Sequence, residues 1–348
     1  MNMDVIKKPF GEMYGKVVES YTLKNDSGME MTFITFGGAI TKIVTPDKNG
    51  VLENIVLGFD TLEQYVQHVH YYGALIGRVA GRIGQASYPS QGKKVELTSN
   101  DSGNHLHGGK IGFNRVIWAV GEVSVEKEKV SVRLSYLSRD GEEGYPGNVK
   151  VDVTYTLTNS NELLIEYRAE PERDTPINMT SHSYFNLSGA YKEDILSHRL
   201  QMKADRVLEL SDDKVPTGRL IPSEGTAFDF HDGQTIHEGM QSGQKEGYDH
   251  AFILNKGEQG IVLSHEESGR AMTVDTDQEA VVLYTGNHLS DDLLWGGVKG
   301  REHLGICLET QGYPDAVNHP HFPSVMVKKG EVYKASTTYS FHVLNEQG

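Results

Sequence analysis

Val149 to Leu157 reads VKVDVTYTL. Its odd positions, Val149, Val151, Val153, Tyr155 and Leu157, are apolar, while Lys150, Asp152, Thr154 and Thr156 between them are polar. Strict alternation puts the two sets on opposite faces of an extended chain, so the stretch predicts a strand with one face in a core and one in water. The polar run Thr158 to Glu162 then leads into Leu163 to Ala169, a second β-like run, and the two together read as an antiparallel hairpin. Val130, Val132, Leu134 and Tyr136 alternate with Ser131, Arg133 and Ser135, and Tyr339, Phe341 and Val343 repeat the pattern near the C-terminus.

Helical signals are few. Thr61 and Gln64 are spaced as a capping box for a short helix carrying Leu62, Tyr65 and Val66, and Ser290 to Trp295 has the makings of another turn or two. Neither is long enough to carry the chain between parallel strands. Without repeated strand-helix alternation, a doubly wound sheet or a TIM barrel is excluded in favour of packed antiparallel sheets. The expectation is an all-β chain, a large antiparallel β-sandwich with few short helices. The turn-rich stretch from Thr217 to Gln244 reads as long surface loops, and no linker or fixed-period repeat divides residues 1–348, which predicts a single domain.

The balance of charge narrows the partners. Thirty-three Lys and Arg against 48 Asp and Glu leave −15, which disfavours nucleic acid and anionic membrane surfaces. Cys307 is the only cysteine and has no internal disulfide partner; it reads as a small buried strand residue. The opening MNMDVIKKPF has no apolar signal core, and no apolar run approaches the roughly 20 residues of a membrane span. A cytoplasmic protein, monomer or homodimer, whose ligand needs no long-range cationic steering is expected. The 38 glycines suit a chain of short strands joined by tight turns.

Common catalytic fingerprints are absent. Gly77, Gly81 and Gly84 are wrongly spaced for a dinucleotide-binding turn, and neither a P-loop nor a G-x-S-x-G elbow occurs. His265 and Glu266 lack the second histidine of a zinc-protease helix, so that segment reads as a turn. The His-x-His pairs at 68/70, 105/107 and 319/321 place two imidazoles on one strand face, a pattern that can ligate a metal. Most conspicuous are single polar residues in small-residue or aromatic settings: Arg82 in GRVAGRIG, His107 in NHLHGG, His182 in NMTSHSYFNLSG, Asp249 in GYDHAF and Glu309 in CLETQGYPDAVN.

Those segments carry a family resemblance. With GEEGYPG (141–147) and LYTGN (283–287) as further landmarks, the chain resembles the aldose 1-epimerase (galactose mutarotase) family from about Gly37 to Phe341. The resemblance implies the galactose mutarotase-like supersandwich, and an isomerase of carbohydrate metabolism that interconverts the α and β anomers of free aldoses such as D-galactose and D-glucose. It implies no cofactor and no metal. Carried onto this sequence, it makes Glu309 the catalytic base and His182 the catalytic acid. His107 becomes a second catalytic imidazole that also holds the sugar, and Arg82 and Asp249 become substrate-binding residues.

The residue types fit those roles. A carboxylate can take the anomeric hydroxyl proton and an imidazolium can protonate the ring oxygen. A forked guanidinium and an ionised carboxylate suit sugar hydroxyls. The acid role needs His182 protonated near neutral pH, and neighbouring carboxylate charge is expected to sustain the imidazolium. His70 is placed at the border of the cleft, whereas Trp118, Tyr145, Phe252 and Tyr313 read as core. Gly81 and Val282 depart from the Asn and Gln common in the family, so the preferred aldose stays open. A sugar-binding sensor without chemistry, a glycoside hydrolase working through Asp249 and Glu309, and an epimerase for a pentose or hexose phosphate remain as alternatives.

Overall fold

The VKVDVTYTL alternation lies at the middle of the largest sheet. The structure is a computed structural model and describes residues 3–258 and 260–344. The strand runs Val149–Thr158 and pairs antiparallel with Glu162–Pro171, Val153 opposite Tyr167 and Tyr155 opposite Ile165. Val149, Val151, Val153, Tyr155 and Leu157 are all buried, as the alternation requires. Nine strands make this sheet, in the spatial order Ala119–Val125, Lys129–Ser138, Val149–Thr158, Glu162–Pro171, Tyr333–Val343, Arg270–Thr276, Ile261–His265, Arg199–Gln201 and Gln234–Thr235.

A second sheet of five strands lies against it. Its order is Pro216–Pro222, Arg206–Leu210, Asp249–Ile253, Ala280–Tyr284 and Cys307–Gln311. The period of two again decides what each face does. Val281, Leu283 and Leu308 join one continuous apolar cluster with Met272, Tyr339 and Phe341 of the large sheet. Thr310 on the same face meets Thr337 of the large sheet, their hydroxyls 2.6 Å apart. Burying each such Val, Leu or Phe stabilises the packing by about 1.5–3 kcal/mol. The alternate residues, among them Val282, Tyr284, Glu309 and Gln311, face away from that core and line a cleft.

A third sheet is built from five consecutive N-terminal strands between Asp4 and Asn54, and it joins the same core through Phe33, whose ring centre lies 4.9 Å from that of Tyr155. All strand pairings among the described residues are antiparallel apart from an isolated parallel bridge, Val79 with Asn178. The result is the large antiparallel β-sandwich expected from the sequence. Among the described residues its two short α-helices are Leu62–Gln67 and Ile236–Gln241. Thr61 and Gln64 form the capping box of the first. No helix among the described residues is long and apolar enough to cross a membrane.

Two local expectations are corrected. Ser290 to Trp295 is not helical: Leu293 pairs with Lys299, and a 3₁₀ turn at Trp295–Gly297 joins the two sides. Gly296 and Gly297 both take positive φ, which suits a reversal of the chain and not a helix. Thr217 to Gln244 is not simply loop either, since it holds most of the strand Pro216–Pro222 and the helix Ile236–Gln241. The edge strand is largely exposed and shows no alternation, and the helix, whose capping box is Thr235 with Glu238, is too short for a full amphipathic repeat. Trp118, Tyr145, Phe252, Tyr313 and Cys307 are buried as expected.

Candidate active site

The GRVAGRIG and NHLHGG segments meet as a two-stranded ribbon, His105 opposite Ile83 and Leu106 opposite Arg82. The glycines after His107 allow this close approach. His107, Gly108 and Gly109 all have positive φ, and a Cβ on Gly108 would stand 1.9 Å from the carbonyl oxygen of Gly77. The backbone N–H of His107 donates to Gly81 O at 3.0 Å, and the N–H of Gly81 donates to His107 Nδ1 at 3.2 Å. With Nδ1 accepting, the ring proton of neutral His107 is on Nε2. Arg82, on the neighbouring strand, donates from Nε to Asp101 Oδ2 at 2.7 Å, which fixes one edge of the guanidinium.

His182 follows the short strand Thr180–Ser181, which pairs with Leu75–Ile76. Its N–H donates to Ala74 O and its carbonyl accepts from Gly73 N–H, both at 2.9 Å, so the backbone is clamped on both sides. Tyr184, Tyr71 and Tyr284 surround the imidazole with ring centres 5.1, 5.6 and 6.4 Å away, and His107 stands edge-on at 5.3 Å. Glu309 is the central residue of Cys307–Gln311 and projects from the sheet beneath this cage. Nε2 of His182 lies 3.5 Å from Oε1 of Glu309. Oε2 of Glu309 is buried and has no hydrogen-bond partner among the described residues.

Asp249 begins the strand Asp249–Ile253, directly opposite Tyr284. Arg82, His107, His182, Asp249 and Glu309 therefore all line one cleft of about 270 Å³, and His70 borders it as expected. The five-stranded sheet supplies Asp249 and Glu309, and the ribbon that carries Arg82 docks beside it, the N–H of Gly84 donating to Asp315 Oδ1 at 3.0 Å, so residues more than 200 positions apart meet there. Tyr71, Tyr184, Tyr284 and Gln311 line the cleft too, and Asp101 supports Arg82. The sequence reading did not assign them. Three of the four lining residues lay inside quoted motifs, beside residues with a more conspicuous chemistry. Tyr71 carried no such signal.

Burial governs the charges. It pushes the His182 imidazole down to about 4 and holds His107 well below the ordinary histidine range. Burial, reinforced by the neighbouring Asp249 charge, raises Glu309 well above a normal carboxyl; Arg82 acts in the opposite direction. Asp249 is raised as well, again by burial, against the pull of Arg82 and Lys214. The shift of His182 runs against the sequence-based expectation that neighbouring carboxylate charge sustains its imidazolium. In the ligand-free cleft burial disfavours the charged form of both groups, lowering the imidazole and raising the carboxyl.

The chain from residue 19 to 340 matches the family model for aldose 1-epimerase. It is 40% identical to galactose mutarotase of Rattus norvegicus over 98% of this chain and 99% of the relative. The chain belongs to the aldose 1-epimerase family. The epimerase is also 33% identical to aldose 1-epimerase of Escherichia coli K12, over 94% of this chain and 96% of the relative. Among solved structures, galactose 1-epimerase from Lactobacillus acidophilus NCFM matches with a TM-score of 0.88 at 28% identity, covering 99% of this chain and all of that one. The epimerase is an isomerase acting on monosaccharides.

The His-x-His pairs do not converge in the epimerase. His105 is held between Thr98 O and the Tyr145 hydroxyl, and His319 and His321 each meet a backbone carbonyl through Nε2. His107, His182 and Glu309 do bring their nitrogen and oxygen atoms within 4.8 Å of one another, a spacing that a divalent ion could bridge. The same spacing suits proton exchange with a sugar without an ion. Gly81 has φ +74°, and a Cβ there would stand 2.9 Å from Cβ of Pro314, so glycine at this departure from the family pattern is fitted to its neighbour.

Proposed function

We propose that Glu309 and His182 act as the base and acid of the anomer interconversion. The aldose lies with its C1 hydroxyl against the Glu309 carboxylate and its ring oxygen towards Nε2 of His182. Glu309 takes the hydroxyl proton, His182 donates one to the ring oxygen, and the bond between C1 and that oxygen breaks to leave the open-chain aldehyde. Rotation about C1–C2 presents the other carbonyl face. The two transfers then run in reverse, and the ring closes as the opposite anomer with every proton returned.

The proton count is consistent with the burial of the pair. Burial raises the Glu309 carboxyl and lowers the His182 imidazole, so a single proton held by the pair is drawn towards Glu309. Moving it across the 3.5 Å contact gives carboxylate and imidazolium with no change in the total. A bound sugar stabilises that charged form, because its hydroxyl donates to the carboxylate and its ring oxygen accepts from the imidazolium. His107, with its proton on Nε2, adds a neutral donor, and Arg82 and Asp249 hold ring hydroxyls.

The observation that carries this reading is the His182–Glu309 contact combined with the unpartnered Oε2 of Glu309, which is free to accept the anomeric hydroxyl. We also infer free hexoses such as D-galactose and D-glucose as substrates and a cytoplasmic setting, in keeping with the −15 charge and the single buried cysteine. The test is polarimetry on freshly dissolved single anomers. Glu309→Gln and His182→Ala should each slow turnover by roughly 10²- to 10⁴-fold. Rates near those of the unsubstituted enzyme for both variants would refute the assignment, and sugar binding with no acceleration by the unsubstituted enzyme would favour a sensor.

A further inference from the structure

Cys307, Glu309 and Gln311 alternate along one strand, so their side chains share the face that borders the cleft, successive ones roughly 7 Å apart. His182 stands over the first interval. Its Nδ1 lies 3.6 Å from Sγ of Cys307 and its Nε2 3.5 Å from Oε1 of Glu309. Gln311 lies on the other side of Glu309 and lines the cleft there. Its side chain is buried, yet its amide is poorly satisfied: Nε2 donates to Gly312 O at a long 3.4 Å, and Oε1 has no partner among the described residues. The residue directly across the sheet is Ala280, whose methyl offers none. Gly81 comes close as well, since a Cβ there would stand 3.5 Å from Nε2, and glycine leaves that side of the amide uncovered.

An acceptor buried without a hydrogen bond is costly, and a ligand hydroxyl that donates to it removes the cost. The orientation proposed above decides which hydroxyl that is. With O1 at Glu309 and the ring oxygen at His182, the ring oxygen lies on the Cys307 side of C1. C1 has one other ring neighbour, C2, so the C2 hydroxyl falls on the side of Gln311. We infer that Gln311 is a specificity-determining residue that accepts a hydrogen bond from the C2 hydroxyl, which makes 2-hydroxy aldoses the substrate class and 2-deoxy aldoses poorer substrates. This rests on Glu309 and His182 as base and acid, and adds a contact to that same site.

D-Galactose and 2-deoxy-D-galactose test it with the full chain. For the unsubstituted enzyme the polarimetric KM, after subtraction of the spontaneous rate, should be about tenfold lower for D-galactose. Gln311→Met, of similar length and without the amide, should raise KM for D-galactose about tenfold with little change in kcat and leave 2-deoxy-D-galactose within about a factor of two, so that the two sugars become nearly equal. 3-Deoxy-D-galactose, which keeps the C2 hydroxyl, should weaken as D-galactose does. The ligand-free variant should melt no lower than the parent, because the amide oxygen it loses had no partner. Equal KM values for D-galactose and its 2-deoxy form with the unsubstituted enzyme would overturn the inference whether or not the variant folds, as would a folded variant in which KM shifts alike for both sugars or for neither. Glu309→Gln and His182→Ala, run beside it, separate the two readings: undiminished rates in both would overturn the acid–base assignment and with it the orientation, whereas slowed rates there with equal KM values here would overturn the Gln311 contact alone.

Discussion

Nε2 of His182 stands 3.5 Å from Oε1 of Glu309, with both side chains almost wholly enclosed. Neither group can be treated as titrating alone at that distance, and the pair's protons come off in steps that belong to both. The productive form carries one proton. Burial takes the imidazole down to about 4 and lifts the carboxyl well above 4.5, and both shifts widen the pH range over which that form persists.

The pH profile of kcat/KM, which reports the free enzyme, should therefore keep its plateau well below the ordinary histidine pKa of about 6.5. Adding a second proton to the pair abolishes the base, and this acid limb is expected near pH 4 to 5. Loss of the last proton abolishes the acid and sets the alkaline limb. An acid limb centred near 6.5 would mean that His182 titrates as a solvated imidazole, contrary to its enclosure by Tyr71, Tyr184 and Tyr284.

Glu309 should cost stability in proportion to what it does for catalysis. Its folded pKa is raised, so the folded state binds a proton that the unfolded state releases above about 4.5, and stability is lost as pH rises from there. Glu309→Gln keeps the shape and removes the titration. Its unfolding free energy should match the parent's near pH 4.5 and exceed it by an amount that grows towards pH 8, because only the parent carries the raised carboxyl. A constant difference across that range would show that burial does not control this carboxyl.

Much of this arrangement was legible in the sequence, and the reasons differ by element. The strand Val149–Thr158 declared itself because one face is buried and the other wet, so period two survives in the composition. Pro216–Pro222 did not, being an exposed edge with no buried stripe to reveal it. The five conspicuous polar residues were found because each stands in a stretch of small or aromatic residues, but no local pattern says that Arg82 and Glu309 share a cleft. That follows from the docking of the Arg82 ribbon against the segment after Cys307–Gln311, where the Gly84 N–H meets Asp315. The downward shift of the His182 imidazole was not legible because it comes from enclosure by distant tyrosines, which spacing does not encode.

Gly108 is a position where backbone geometry and function are tied together. Its φ is +86°, and an added Cβ would meet the Gly77 carbonyl at 1.9 Å, with no flexible side chain to move aside. Gly108→Ala should lose roughly 1–3 kcal/mol from backbone strain and displace the adjacent His107. Gly92→Ala provides the contrast: φ is +74° with nothing within 4 Å, so it should cost about 1 kcal/mol and leave turnover unchanged. Equal effects on turnover from the two would remove the special place given to the loop around His107.

Asp101 is expected to act on substrate affinity through Arg82. The ion pair is partly exposed, the two side chains being 20% and 28% accessible, so its removal should change folding stability by less than about 1 kcal/mol. Its effect on the guanidinium is larger in consequence, because Asp101 Oδ2 holds Nε and leaves the terminal nitrogens to the cleft. Asp101→Ala should raise KM by roughly threefold to tenfold, the loss of about one hydrogen bond, with kcat changed by less than a factor of three. Asp101→Asn, which still accepts from Nε, should recover part of the affinity. A KM unmoved by either substitution would mean that the backbone pairing of Arg82 with Leu106 is sufficient to aim the guanidinium by itself.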